Sequence, residues 1–228
     1  MSYDFKDEEQ VKEYIKNLGT EYRFQCYHEK IPEGCHRLGD FFESIKKDLE
    51  KASKVFKTNC DDNNYGWSCF KVANYLLHNK VSAEKKEKNG KEIAQYFVKG
   101  CENGYVPSCH LAGLLFSTDK IGPGKDFKKA EHYLQKACDQ KYAASCYQLS
   151  AMFIRGSEEY PKDMARAFKY SLRSCDMNHM YACSNVSQMY KKGDGVVKNL
   201  NLAEKFRKKA KELFEAQKVP EKPIAFSE

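Results

Sequence analysis

The chain has 228 residues, 41% of them hydrophobic and 13% aromatic, which is enough apolar material for a folded core and excludes a disordered chain. Its 39 basic and 32 acidic residues leave a net charge of +7, with the two signs interspersed. No nucleic-acid motif accompanies the lysines around 85–91 and 205–209, so they read as solvated surface, and no apolar run approaches the roughly 18 residues of a membrane span.

The first ten residues are acidic and polar, with neither an apolar stretch nor an arginine-rich pattern. The expectation is a chain without a secretory signal or a mitochondrial presequence. Val11, Tyr14, Ile15 and Leu18 then share one helical face and predict an N-terminal helix over 5–24.

From there the cysteines set the rhythm. The ten fall into five close pairs: Cys26 and Cys35, Cys60 and Cys69, Cys101 and Cys109, Cys138 and Cys146, Cys175 and Cys183. The first two pairs are C-x8-C and the last three C-x7-C. First members are 34, 41, 37 and 37 residues apart, the period of a helical repeat. After each second cysteine the segments align without gaps. Three residues on stand Leu38, Val72, Ala112, Leu149 and Val186. One further on the residue is always small: Gly39, Ala73, Gly113, Ser150, Ser187. Seven on stand Phe42, Leu76, Phe116, Phe153 and Tyr190. This is one face of a helix, and the small position predicts a close helix crossing.

The segments before each first cysteine also align, with Ala52, Ile93, Ala130 and Ala167 eight residues upstream, and Val55, Tyr96, Tyr133 and Tyr170 five upstream. They predict a second amphipathic helix, its Tyr96, Tyr133 and Tyr170 read as core. Pro32 and Pro107 fall between paired cysteines, and Pro123 and Pro161 fall between helix pairs. None sits in a helix interior, where it would cost about 3 kcal/mol. The fold class expected is all-α, a right-handed α-α superhelix of about five helix pairs over 1–217. A charged capping helix over 199–217 ends it, followed by a mobile tail, 218–228.

Residues eight apart on one helix lie about 12 Å from each other, too far for a disulfide, so a bonded pair requires the chain to turn between its members. The intervening residues, such as Glu102 to Pro107 and Asp61 to Gly66, are turn-like. Three readings stand: structural disulfides Cys26–Cys35, Cys60–Cys69, Cys101–Cys109, Cys138–Cys146 and Cys175–Cys183; buried free thiols; or metal ligation. The C-x2-4-C spacing of structural zinc and the C-x-x-C of redox enzymes are absent. Gly104 and Pro107 mark the Cys101–Cys109 turn as the one expected to be strained and most readily reduced.

The repeat resembles the SEL-one-like repeat, a relative of the tetratricopeptide repeat. Gly193-Asp194-Gly195-Val196 matches the loop of that family, and Asp126 to Ala130 and Asp163 to Ala167 match the opening of its helix. The likeness covers about 10–213 and departs at 78–91, a lysine-rich loop without the glycine pattern. Other blocks, among them Asp7 to Lys12, Cys26 to Leu38 and Met189 to Val196, resemble a mitochondrial family of cytochrome c oxidase assembly factors. That resemblance implies localisation in the intermembrane space and import through its oxidative machinery. It implies a protein-binding scaffold whose partners are respiratory-oxidase assembly proteins or copper chaperones, with the curved inner face as the partner surface. It also implies, as the alternative, a haem-binding thiol–disulfide reductase assisting copper delivery.

Catalytic motifs are absent, so an enzyme is the less favoured reading and no cofactor is required. His36 and His110 each follow a second cysteine, where the other repeats have Phe70, Tyr147 and Ser184. His110 is the candidate haem ligand and, in the plainer reading, a polar residue at a helix start. Met177, His179 and Met180 are soft-ligand candidates for copper, and in the plainer reading they pack a turn.

Overall fold

The structure, a computed structural model, describes residues 3–78, 86–158 and 160–218. Among them every regular element is helical. The chain divides into two compact units, Met1–Asp126 and Phe127–Glu228. The first contains α1 (Glu8–Arg23), a π-helical turn (Phe24–His28), α2 (Pro32–Ser44), α3 (Leu49–Asn63), α4 (Gly66–Leu77), α5 (Lys86–Glu102) and α6 (Val106–Phe116). The second contains α7 (Phe127–Asp139), α8 (Ala143–Arg155), α9 (Met164–Asp176), α10 (Met180–Lys192) and α11 (Leu200–Lys218). Residues 79–85 of the expected lysine-rich loop and 219–228 of the expected tail lie outside the described residues. The N-terminal helix is shorter than expected because Asp7 caps it, accepting from the Glu9 and Gln10 N–H groups, and because its last turn widens into the π turn.

Each cysteine pair joins the end of a first helix to the start of a second. The turns share one closing bond. The N–H of the residue four before the second cysteine reaches the carbonyl of the residue just before the first: Ile31 to Gln25, Tyr65 to Asn59, Tyr105 to Gly100, Tyr142 to Ala137 and His179 to Ser174, at 3.0–3.4 Å. In the three shorter turns this is the six-residue return of a helix C-terminus that ends in a left-handed residue. The longer turns absorb one more residue inside the same bond. The left-handed residue always stands five before the second cysteine. It is Lys30, Asn64, Gly104, Lys141 and Asn178, with φ of 59, 52, 84, 64 and 63°. Gly104 is the one glycine of the five, so the Cys101–Cys109 turn carries the least backbone strain, contrary to the expectation from its Gly and Pro. Pro107 is in the first turn of α6, where its missing N–H costs nothing.

In the three hairpins of the first unit the residues just before the two cysteines meet beside the staple: Gln25 and Gly34, Asn59 and Ser68, Gly100 and Ser108. A Cβ on Gly34 would stand 2.5 Å from the Gln25 Cβ, and one on Gly100 2.4 Å from the Ser108 Oγ. Where one residue is larger, the other is small. The predicted close crossing is also present. Gly39 faces the Phe56 ring, Ser150 Oγ lies 2.6 Å from Ser171 Oγ, and Ser187 Oγ donates to the Ala203 carbonyl at 2.7 Å. Leu38, Phe56 and Val72 in the first unit, and Leu134, Leu149 and Val186 in the second, are buried around these crossings.

First helices meet one another along a polar seam. In the first unit Lys57 of α3 bonds Tyr96 Oη of α5, and Lys99 lies 3.5 Å from Asp61. In the second, Gln135 of α7 accepts from Tyr170 Oη, Glu131 pairs with Arg166, and Arg173 lies 2.6 Å from Asp139. Lys209 of α11 continues the pattern, donating to the Cys175 carbonyl at 2.8 Å. Each of Lys99, Arg173 and Lys209 therefore sits at the C-terminus of the preceding first helix, where a cation complements the helix dipole. Tyr96 and Tyr170, expected in the core, pack with their rings and spend their hydroxyls in this seam.

The left-handed lysines give a direct test. A non-glycine residue in this region costs about 1–2 kcal/mol, against roughly 0.5–1 kcal/mol for the added freedom of an unfolded glycine. Lys141→Gly is expected to raise the midpoint of thermal unfolding by about 2–4 °C, and Gly104→Ala to lower it by as much, both read by circular dichroism.

Candidate functional site

The groups able to do chemistry gather along the hairpin turns. His36, one turn into α2, is buried. Its Nδ1 is 3.0 Å from Ser68 Oγ, which also accepts from Asn59 Nδ2 at 2.8 Å. Its Nε2 lies 3.4 Å from Asp40 Oδ2, an approach whose angles fall short of a hydrogen bond. Phe56, Tyr65 and Trp67 surround the ring at centroid distances of 5.2, 5.5 and 4.6 Å. Burial pushes its pKa down to about 4; Asp40 opposes the shift and Lys71 adds to it. The chain Ser68–His36–Asp40 has the residue types of a catalytic triad. Ser68 is fully buried, however, and the imidazole faces serine and carboxylate with the wrong nitrogens, so the arrangement is a polar lock between two hairpins.

The place after the second cysteine has a repeated structural task. His36 packs on Tyr65, Phe70 on Tyr105 at 4.9 Å, and Tyr147 on His179 at 4.5 Å. In each case the partner is the residue that opens the next second helix. His110 holds the same place in the sequence of α6; it is partly buried, and burial pushes its pKa down to about 4. An axial haem ligand needs an open imidazole nitrogen. His36 does not offer one, with Nδ1 engaged and the ring enclosed. His179 opens α10, its Nδ1 accepting from the Ala182 N–H at 3.3 Å, and Met180 turns toward α11. Among the described residues no group of three His, Cys, Asp or Glu side chains could hold a metal ion. The sequence reading missed Ser68 and Trp67, which contact His36 from about 30 positions away, and Asn59, which bonds Ser68; none carries a local signal.

All ten cysteines sit in the expected pairs at bonding distance, with Cα–Cα separations of 4.3–4.9 Å. Eight are fully buried, and Cys26 and Cys35 are 6% exposed. Thiol chemistry requires an exposed thiolate, so the pairs are placed for stapling.

Five stapled helix hairpins with a fixed period and small crossing residues define an α-helical repeat protein. The Sel1 repeat pattern matches residues 32–52, 106–142, 143–179 and 181–213, and the chain belongs to the Sel1 repeat family. It is similar to a cytochrome c oxidase assembly factor 7 homolog of Drosophila melanogaster, 50% identical over 115 residues that make up 50% of this chain and 43% of the relative. It is similar to cytochrome c oxidase assembly factor 7 of Xenopus tropicalis, 42% identical over 127 residues (54% and 53%). It is also similar to that of Homo sapiens, 40% identical over 115 residues (49% and 48%). The chain thus spans about half the length of the curated relatives it matches. Among solved structures it resembles a Sel1 repeat protein from Oxalobacter formigenes, with a TM-score of 0.67 and 21% identity over 89% of this chain and 83% of that one. It also resembles a protective antigen of uropathogenic Escherichia coli, with a TM-score of 0.65 and 19% identity over 89% and 47%. These last two share the fold.

Two outcomes follow. Closing a loop of eight or nine residues stabilises by about 2.5 kcal/mol in the chain-entropy account. Replacing both Cys138 and Cys146 by serine is therefore expected to cost about that much in urea unfolding. The buried histidines set an acid limit: because the folded pKa of His36 and of His110 lies near 4 and the unfolded value near 6.5, the unfolded chain binds more protons between those values. Their contribution to stability is complete above pH 6.5 and is lost as pH falls toward 4. The double variant His36→Phe, His110→Phe, which copies Phe70, is expected to flatten that part of the pH profile of unfolding.

Proposed function

We propose that this chain is an assembly factor for cytochrome c oxidase, working in the mitochondrial intermembrane space as a disulfide-stapled helical-repeat scaffold for proteins. The observation that carries the reading is the 40–50% identity to proteins named cytochrome c oxidase assembly factor 7, over stretches of 115–127 residues. The repeat fold supports it, because stacked helix pairs offer broad surfaces for proteins. No described helix is long and apolar enough to cross a membrane. Five pairs at bonding distance suit an oxidising compartment, and respiratory-oxidase assembly proteins or copper chaperones are the partners that fit it. The site favours a scaffold over the reductase alternative, since the sulfurs are buried.

The test is complementation. Animal cells lacking their own cytochrome c oxidase assembly factor 7 are given this chain, and assembled oxidase is measured on native gels. Recovery of oxidase is expected, with the protein protected from protease in intact mitochondria but not after rupture of the outer membrane. Its mass should rise by about 10 Da on reduction, one dalton per cysteine. Oxidase left unrestored while the chain accumulates in that space would refute the proposal.

A further inference from the structure

Among the described residues, the last helix of the second unit, α11, repeats the first helix of a hairpin without a second helix beside it. The side chains of Asp163 and Asn199 cap the same way, accepting from Arg166 N and Leu202 N, each at 2.9 Å. They fix α11 as a first helix offset from α9 by 36 residues, and Arg173 and Lys209 confirm the offset by reaching the end of the preceding first helix. In this register Lys211 stands where α9 has Cys175, and Ser184 of α10 stands where α8 has Tyr147. One hairpin earlier that seat is filled: Cys175 is bonded to Cys183 of α10, and Tyr147 is covered by His179 and Tyr181. Between α10 and α11 no further helix follows among the described residues. The seat is a cavity of about 310 Å³, with Met180, Tyr181, Ala210 and Phe214 on its walls and Arg207 and Lys211 on its rim. Tyr181 is 61% exposed and Phe214 44%.

The other half of the repeat interface is closed. The face that α9 turns to the next first helix carries Phe168 and Leu172, packed in a cluster with Phe206. The matching positions of α11 are Glu204 and Lys208, both exposed. A complete further hairpin would bury those charges, whereas a lone second helix would not. Within α11 itself Glu204 takes up the Arg207 guanidinium at 2.7 Å and Glu215 lies 3.7 Å from Lys211, exposed ion pairs that show carboxylates suit this rim and that a partner's acids can replace at little cost.

We propose that the groove between α10 and α11 is a docking seat for a single amphipathic helix of a partner protein. That helix has an apolar or small-residue face and acidic flanks, and it packs where the second helix of a further hairpin would lie. The proposal rests on the repeat geometry and is independent of the oxidase reading.

The experiment uses the full chain and a synthetic peptide as probe. The peptide is residues 177–192 with K191E and K192E, its Cys183 carried as a mixed disulfide with thionitrobenzoate. In Lys211→Cys protein, the thiolate introduced at position 211 attacks the Cys183 sulfur. A protein–peptide disulfide forms and thionitrobenzoate leaves, so capture is read by its colour. Capture at position 211 is expected to be at least about tenfold faster than in Lys205→Cys protein, a 1.4 kcal/mol preference. Adding Tyr181→Glu to the Lys211→Cys protein should bring it down to the rate at 205. Equal rates at 211 and 205, with circular dichroism and the five staples unchanged, would overturn the proposal. So would a concentration-dependent doubling of mass in light scattering that Tyr181→Glu abolishes, which would give the seat to a second copy of the chain.

Discussion

Everything in this fold hangs on the throat of the hairpin, where two helices come within 4.3–4.9 Å of each other at the paired cysteine Cα atoms. No pair of large side chains fits there. The residues beside the staples divide a fixed volume between them, glycine against glutamine at one end of the series and serine against asparagine next to it. A throat this narrow brings the sulfurs together, and the left-handed residue and its closing bond return the chain on itself. The second helix must then open on an extended residue, and four of the five openings are Tyr or His. Tyr65, Tyr105 and His179 pack on the preceding hairpin. Stapling, turning and stacking thus follow from one steric limit.

The consequence is a division of labour between two seams. Where a second helix meets the following first helix, contacts are buried and small, apolar at Gly39 against Phe56 and through hydroxyls at Ser150 against Ser171 and Ser187 against Ala203. Where first helices meet each other, contacts are ionic and mostly exposed, and each such pair is worth under about 1 kcal/mol. The buried seam and the staples carry stability, while the polar seam fixes register by placing each cation on one particular helix end. Lys57, Asp61, Tyr96 and Lys99 act as such a network, with the Lys57 pKa raised by its bonds to Asp61 and Tyr96.

Much of this was legible in the sequence because the repeat prints each constraint five times. The spacing of cysteines, the small residue four beyond each second cysteine and the apolar positions three and seven beyond it sufficed for helix pairs and crossings. What stayed hidden lacks a residue signature. Lys30 and Lys141 hold the left-handed position with side chains that never advertise it, and only Gly104, Asn64 and Asn178 do. The lock on His36 needs Ser68 and Asn59, which the chain brings together only after the hairpins stack. The division at Asp126 also escaped, because the repeat runs through it without a change in composition.

The histidines show how a repeat separates function from scaffolding. A residue that fills a place five times over is constrained first by that place. His36, Phe70 and Tyr147 perform one packing task with three chemistries, so imidazole at this position is not by itself a ligand. Function is better sought where the repeat breaks its own pattern. Lys211 standing in a cysteine's place and Ser184 in a tyrosine's are such breaks, and so are Glu204 and Lys208 where α9 has Phe168 and Leu172. They fall on one helix pair and differ in sense: charge on the face that would extend the array, apolar surface in the seat that would complete a hairpin. A helix pair selected only for solubility would be polar on both. The asymmetry marks this helix pair as a surface shaped for a helix that none of the described residues supplies.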